Sequence, residues 1–134
     1  MQTTLSLKDR RAFSRLYGRG RFVSCREVTV YYLKNRQGLT RLGVTAGKRV
    51  GNAVKRNRAK RIIKSAYRLC EGIIPKGYDY VFVARPDIDG KKSTHIEEFI
   101  RKRLVKEILS SQKELRGRNA PGGHRKKGSN EKNS

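Results

Sequence analysis

"RLGVTAGKRVGNAVKRNRAKRIIKSAYR", residues 41–68, changes its structural period partway along. Its opening belongs to "TRLGVTAGK", a β-branched and apolar run that reads as a strand, and Gly47 and Gly51 bracket "KRV" at the exit. Asn52 supplies an N-cap, and the spacing predicts a helix from there to about Leu69. Laid out at roughly 100° per residue, Ala59, Ile62, Ile63, Ala66 and Leu69 gather on one side, ready to pack on a sheet. Opposite them fall Asn57, Lys60, Arg61, Lys64 and Arg68, with Arg56 and Arg58 on the flanks. A strand leading directly into a sheet-packing helix, with another long strand to follow at "YDYVFVAR", makes this a mixed α and β chain.

The octapeptide "VKRNRAKR", residues 54–61, holds five cations and one Asn. Like charges at helical neighbour spacing repel by a few tenths of a kcal/mol per pair, so the compensating negative charge must come from outside the chain. No acid occurs from Val28 to Cys70, a window with twelve Lys and Arg, whereas a merely solvated face mixes both signs. The whole composition agrees: 34 Lys and Arg against 11 Asp and Glu give a net charge of +23 on 134 residues. Such an excess attracts polyanions. The apolar side of the basic helix is small and is needed for the sheet, which disfavours membrane surfaces and calmodulin-like partners. No apolar run could span a bilayer and "MQTTLSLKDRR" is no signal peptide, so a cytoplasmic protein with no membrane partner is expected. In that compartment Cys25 and Cys70 read as free thiols.

Outward from this centre the pattern is regular. Ser6 with Asp9 forms a capping-box pattern before a short helix carrying Ala12, Phe13, Leu16 and Tyr17, which "GRG" ends. "REVTVYYLKN" and "TRLGVTAGK", joined by a turn at "NRQGL", read together as an antiparallel hairpin. "IPKG" is a turn, "YDYVFVAR" is a strand apolar on both sides, and Pro86 ends it. Thr94 with Glu97 suggests a second capping box. Behind it Ile96, Phe99, Ile100, Leu104, Val105, Ile108 and Leu109 follow a helical stripe to about Leu115. Residues 1–115 thus make one domain, and residues 116–134 are expected to be a disordered basic tail.

Nucleic acid is the partner class that remains. A helix-turn-helix would need a short helix just before the basic one, and the sequence has a strand there; DNA is not expected. Single strands are held by aromatic platforms beside a positive groove. Aromatic rings stand near cations in two places, Phe13 and Tyr17 with Arg10, Arg21 and Lys48, and Tyr31 or Tyr32 with Arg41. Rings at helical or strand spacing are core more often than platform, so these residues alone leave the mode open. A structural RNA-binding protein of the ribosome and a DNA-binding regulator remain rival functions.

Three ordered blocks, "FSRLYGRGR", residues 41–68, and "IPKGYDYVFVARP", resemble the bacterial ribonuclease P protein family, whose "RNR" motif would be Arg56, Asn57 and Arg58. The resemblance covers about residues 5–112. It implies a single-domain α-β sandwich of the α+β class, in the order αβββαβα, with a left-handed βαβ crossover. It also implies a role as protein subunit of a ribonucleoprotein endoribonuclease that removes the 5′ leader of precursor tRNA. The catalytic RNA and precursor tRNA would be its partners. The catalytic centre and the required Mg²⁺ would lie with the RNA, and the protein alone would bind no cofactor.

Residue by residue, the resemblance assigns Arg56, Asn57, Arg58, Lys60, Arg61, Lys64 and Arg68 to the catalytic RNA. It assigns Phe13, Tyr17 and Tyr31 to a cleft for the leader, with Lys48, Arg49 and Arg85 at its rim. Phe is commoner than Tyr at the position of Tyr17, and a stacking ring survives that change. The acids are scattered singly or as the short pairs Asp87 with Asp89 and Glu97 with Glu98, and His95 and His124 lie far apart, so no catalytic residue and no metal ligand is assigned to this chain.

Overall fold

The computed structural model describes residues 4–117. In chain order it contains strand β1 (Thr4–Ser6), helix α1 (Arg10–Arg19), strands β2 (Arg21–Ser24), β3 (Val28–Lys34) and β4 (Thr40–Ala46), helix α2 (Ala53–Cys70), strand β5 (Tyr78–Ala84) and helices α3 (Ser93–Phe99) and α4 (Val105–Gly117). Short 3₁₀ turns occupy Lys48–Val50 and Pro86–Ile88, and a π turn, Ile100–Leu104, joins α3 to α4. This is the expected α+β domain in the order αβββαβα, with the short strand β1 added before α1 and the last helix divided by the π turn. The tail assigned to residues 116–134 lies outside the described residues from residue 118 onward. Among the described residues no helix is long and apolar enough to cross a membrane.

The five strands form one mixed sheet in the order β1-β4-β5-β3-β2. Strand β5 pairs antiparallel with β3 and parallel with β4, so the expected β3–β4 hairpin does not form: β5 sits between its two arms. The reason lies in "YDYVFVA", where every residue except Val83 is buried. A strand apolar on both faces is stable only in the middle of a sheet with both faces covered. The antiparallel hairpin is instead β2–β3, with Phe22 opposite Tyr31 and Ser24 opposite Thr29.

Strand alternation divides the core in two. Val28, Val30 and Tyr32 of β3, Leu42 of β4 and Tyr78, Tyr80 and Phe82 of β5 join the large core with α2, α3 and α4. On the opposite face Val81 packs with Leu7, Ala12 and Leu16, the last two from α1. Tyr67 links α2 to the sheet, its ring edge-on to Tyr80 at 6.4 Å and Phe82 at 6.1 Å between centroids. Burial pushes its phenol up to about 12, against the Thr4 contact, which lowers it. Thr4 Oγ1 lies 2.9 Å from the Tyr67 hydroxyl and donates to Glu71 Oε2 at 2.7 Å, strapping β1 over the end of α2.

Local corrections follow from this packing. Ser6 stays in β1, and Asp9 caps α1 instead, its carboxylate accepting from Arg11 N at 3.0 Å. Thr94 lies inside α3, which begins at Ser93, and the Lys92 backbone N–H donates to His95 Nδ1 at 3.4 Å. Leu69 is 57 % exposed, and Tyr67 and Cys70 take the buried positions at the end of α2. Leu109 is also exposed. Ile96, Ile100, Leu104 and Ile108 repeat every four residues, a spacing that drifts about 40° per step in an α-helix; the π turn absorbs the drift and keeps these four at the core.

These positions make a direct test of which face of α2 packs on the sheet. Ile63→Ala should cost about 2–5 kcal/mol of stability in urea unfolding, whereas Leu69→Ala should stay within about 0.5 kcal/mol. Equal costs would mean that α2 is rotated from this placement.

Candidate nucleic-acid interface

Helix α2 is launched by a backbone that only glycine adopts easily. Gly51 has φ +140°, and its carbonyl accepts from Arg56 Nη1 at 2.8 Å. Asn52 then caps as expected, accepting from Lys55 N at 3.0 Å. Ala59, Ile63 and Ala66 are buried, which turns Asn57, Arg58, Arg61, Lys64 and Arg68 to solvent and leaves Lys60 half-buried. Lys55 pairs with Asp89 at 3.2 Å, but no carboxylate among the described residues pairs with Arg58, Lys60, Arg61, Lys64 or Arg68. Arg56 is half-buried and partly committed to Gly51. It holds the first turn as well as adding charge.

The 3₁₀ turn before α2 buries Val50, and Lys48 and Arg49 stand exposed beside it. They follow Ala46, which pairs with Ala84 of β5, and Arg85 comes next on that strand. The three rim cations therefore share one end of the sheet, where β4 and β5 both terminate. Arg85 Nη1 makes long contacts to Ser24 Oγ at 3.5 Å and Thr29 Oγ1 at 3.4 Å, and the Arg85 side chain is otherwise exposed.

The face of the sheet opposite α2 is only partly covered by α1. The registers align Phe22, Tyr31, Val81 and Gly43 in one row across β2, β3, β5 and β4, and Ser24, Thr29, Val83 and Thr45 in the next. Helix α1 lays Phe13 over Gly43. A Cβ there would stand 2.8 Å from Phe13 Cε1 and 2.9 Å from Cζ, so the missing side chain is what admits the ring. Tyr17, one turn on, is 47 % exposed. Its ring centroid lies 6.4 Å from that of Phe13 and 4.9 Å, edge-on, from that of Tyr31. Burial raises the Tyr17 phenol, the neighbouring Tyr31 adds to this, and the Thr45 hydroxyl opposes it.

The structure thus brings Phe13, Tyr17 and Tyr31 together on one face, with Lys48, Arg49 and Arg85 at one end of that sheet. The RNR helix begins at the same end of β4 but packs on the other face. Arg41, also noted as a cation near aromatic residues, is otherwise engaged. Its Nε and Nη2 both reach the buried Asp79 carboxylate at 2.8 Å, and Asn35 Nδ2 adds a third bond at 2.9 Å. Tyr32 belongs to the large core. The sequence reading missed Phe22, Ser24, Thr29 and Thr45; alternation within β3 and β4 marks the faces of Thr29 and Thr45, but no local pattern marks β2 as a strand. Cys25 and Cys70 are free thiols. Among the described residues no three of His, Cys, Asp and Glu converge as a metal-binding set.

Comparison with known proteins gives a consistent result. The family model described as Ribonuclease P matches residues 1–109. A ribonuclease P protein component of Pelotomaculum thermopropionicum is 39% identical over 98 residues, covering 73% of this chain and 88% of that protein. One of Alkaliphilus metalliredigens is 40% identical over 97 residues, covering 72% and 86%. Among solved structures, the Staphylococcus aureus RNase P protein superposes with a TM-score of 0.63 at 28% identity, over 78% of this chain and 94% of that one.

The Gly43 contact can be tested apart from any ligand. Gly43→Ala should lift Phe13 from the sheet at a cost of about 1–3 kcal/mol. In NMR spectra the ring protons of Phe13 and Tyr17 should move while those of Tyr67 and Tyr80, in the other core, stay in place. Unmoved Phe13 signals would mean that the ring does not rest on β4.

Proposed function

The chain belongs to the ribonuclease P protein component family, and from that premise we propose that it is the protein subunit of a ribonucleoprotein that removes the 5′ leader from precursor tRNA. In this reading the outer face of α2 binds the catalytic RNA through Arg56, Asn57, Arg58, Lys60, Arg61, Lys64 and Arg68. The partly open sheet face beside α1 binds the leader. The observation that carries the reading is the cluster of Phe13, Tyr17 and Tyr31 on a sheet face that ends in Lys48, Arg49 and Arg85.

The chemistry suits a substrate whose leader varies in sequence. Every base has a π-face, so stacking is worth roughly 1–3 kcal/mol per base and tolerates any of them. Lys48, Arg49 and Arg85 would meet the phosphates between stacked bases through charge-assisted hydrogen bonds. On the other side, arginine guanidiniums along α2 fork to phosphate oxygens, and Asn57 adds a donor and acceptor for a sugar hydroxyl or base edge. Two polyanions that repel each other are then held on one small cationic body. Bond breaking, and the Mg²⁺ that it needs, are assigned to the RNA; the residues of this chain bind, orient and screen charge.

The two surfaces should fail separately. Arg58→Ala with Arg61→Ala should weaken catalytic-RNA binding and flatten its logarithmic salt dependence by about 0.7–0.9 for each phosphate that is no longer neutralised. Phe13→Ala, Tyr31→Ala or the more exposed Tyr17→Ala should leave that binding intact. These variants should lose affinity only for precursor tRNA with a leader of several nucleotides, and not for a one-nucleotide leader. Equal losses on long and short leaders would refute the cleft. Circular dichroism and melting curves, run alongside, would return a ring to the core if its removal unfolds the protein.

A further inference from the structure

Strand β2 carries an aromatic ring that neither core uses. Val23 points into the large core at 6 % exposure, so alternation turns Phe22 to the cleft face, and Phe22 is part of neither buried cluster. Its ring lies 5.6 Å from that of Tyr31, tilted by 38°, and continues the series Phe13, Tyr17, Tyr31 toward the edge of the sheet. Ser24, two residues on, shares the face. Its hydroxyl is 2.8 Å from Thr29 Oγ1, and Arg85 Nη1 touches both hydroxyls. Those bonds use one guanidinium nitrogen and leave the remaining donors of an exposed Arg85 available.

We propose that β2 adds a nucleotide subsite to the cleft: a base stacks on Phe22 while the adjoining phosphate meets Arg85, held in place by Ser24 and Thr29. The inference rests on the leader-binding reading and extends it. The substrate class is the same single strand, and the prediction is that this chain grips at least one nucleotide more than Phe13, Tyr17 and Tyr31 hold. An alternative use of Phe22 as packing is weak, because β2 is the terminal strand of the sheet and the ring's aromatic contact is Tyr31, itself on the cleft face. A half-buried ring and, one row along the same sheet face, a guanidinium at Ser24 and Thr29 match the two halves of a nucleotide.

The test is a ladder of precursor tRNAs whose leaders grow one nucleotide at a time, bound by the reconstituted holoenzyme. Parent, Phe22→Ala, Phe22→Tyr and Tyr17→Ala proteins are compared, with melting temperatures measured in parallel. Phe22→Ala should bind the one-nucleotide leader as the parent does and lose about 5- to 150-fold on the longest leaders. Phe22→Tyr, which keeps a ring, should follow the parent throughout. If Phe22→Ala matches the parent along the whole ladder while Tyr17→Ala loses the long leaders, the cleft stands and the Phe22 subsite falls. If both match the parent, the leader-cleft reading falls and the subsite with it. A Phe22→Ala loss already present with one nucleotide, or a Phe22→Tyr loss as large as that of Phe22→Ala, would also overturn the subsite.

Discussion

Everything in this domain depends on the insertion of β5 between β3 and β4. "YDYVFVA" is apolar on both faces, so it must be covered twice, and the residues that cover it define the two working surfaces. Toward one side Tyr80 and Phe82 draw in Tyr67 of α2, and through it the whole basic helix. Toward the other, Val81 receives Leu16 and Ala12 of α1, which also lays Phe13 on Gly43 and Tyr17 against Tyr31. The part of that face left over is where the leader cleft is proposed. Asp79, the one acid in β5, is neutralised in place by Arg41 and Asn35, so the central strand adds no unpaired negative charge to either surface.

The charge on α2 works against folding and only makes sense with a partner. Cations repeat at neighbouring helical positions with no acid among them, an arrangement that opposes the helix. Its stability is carried instead by the Asn52 cap, the Arg56 bond to Gly51 and the buried ridge of Ala59, Ile63, Ala66, Tyr67 and Cys70. The few acids in the described residues are placed where they brace the frame. Asp89 holds Lys55 near the helix start, and Glu27 holds Lys91 beside the rim. Asp79 takes Arg41 out of play. None of them pairs with Arg58, Lys60, Arg61, Lys64 or Arg68 of α2 or with Lys48, Arg49 and Arg85.

Much of this was legible in the sequence, for identifiable reasons. The α2 signal was strong because cap, glycine exit and amphipathic spacing agree over many residues, and β5 was readable from its length and two-sided apolarity. Pairing was not, because hairpins between neighbouring strands are the default, whereas the insertion of β5 is a long-range arrangement that no local pattern records. Strands β1 and β2 are only three and four residues long, and "RFVS" following "GRG" has the look of a loop. With β2 unseen, Phe22 had no face to be assigned to. Leu69 was misplaced by roughly one helical position, enough to move an apolar side chain from core to solvent. The aromatic cluster could not be told from core by spacing alone; the strand register and the seating of Phe13 on Gly43 give it a face of its own.

The central claim is that the two faces of this sheet hold two different RNAs. Tethered hydroxyl-radical cleavage measures it most directly. With Cys25 and Cys70 replaced by serine or alanine, an iron chelate is attached to a single new cysteine at Tyr17→Cys or at Arg61→Cys, and each protein is assembled with catalytic RNA and precursor tRNA. The probe on α1 should cut the leader, and the probe on α2 should cut the catalytic RNA. If both probes cut the same RNA, or the α1 probe cuts only the catalytic RNA, the division of labour between the two faces is wrong.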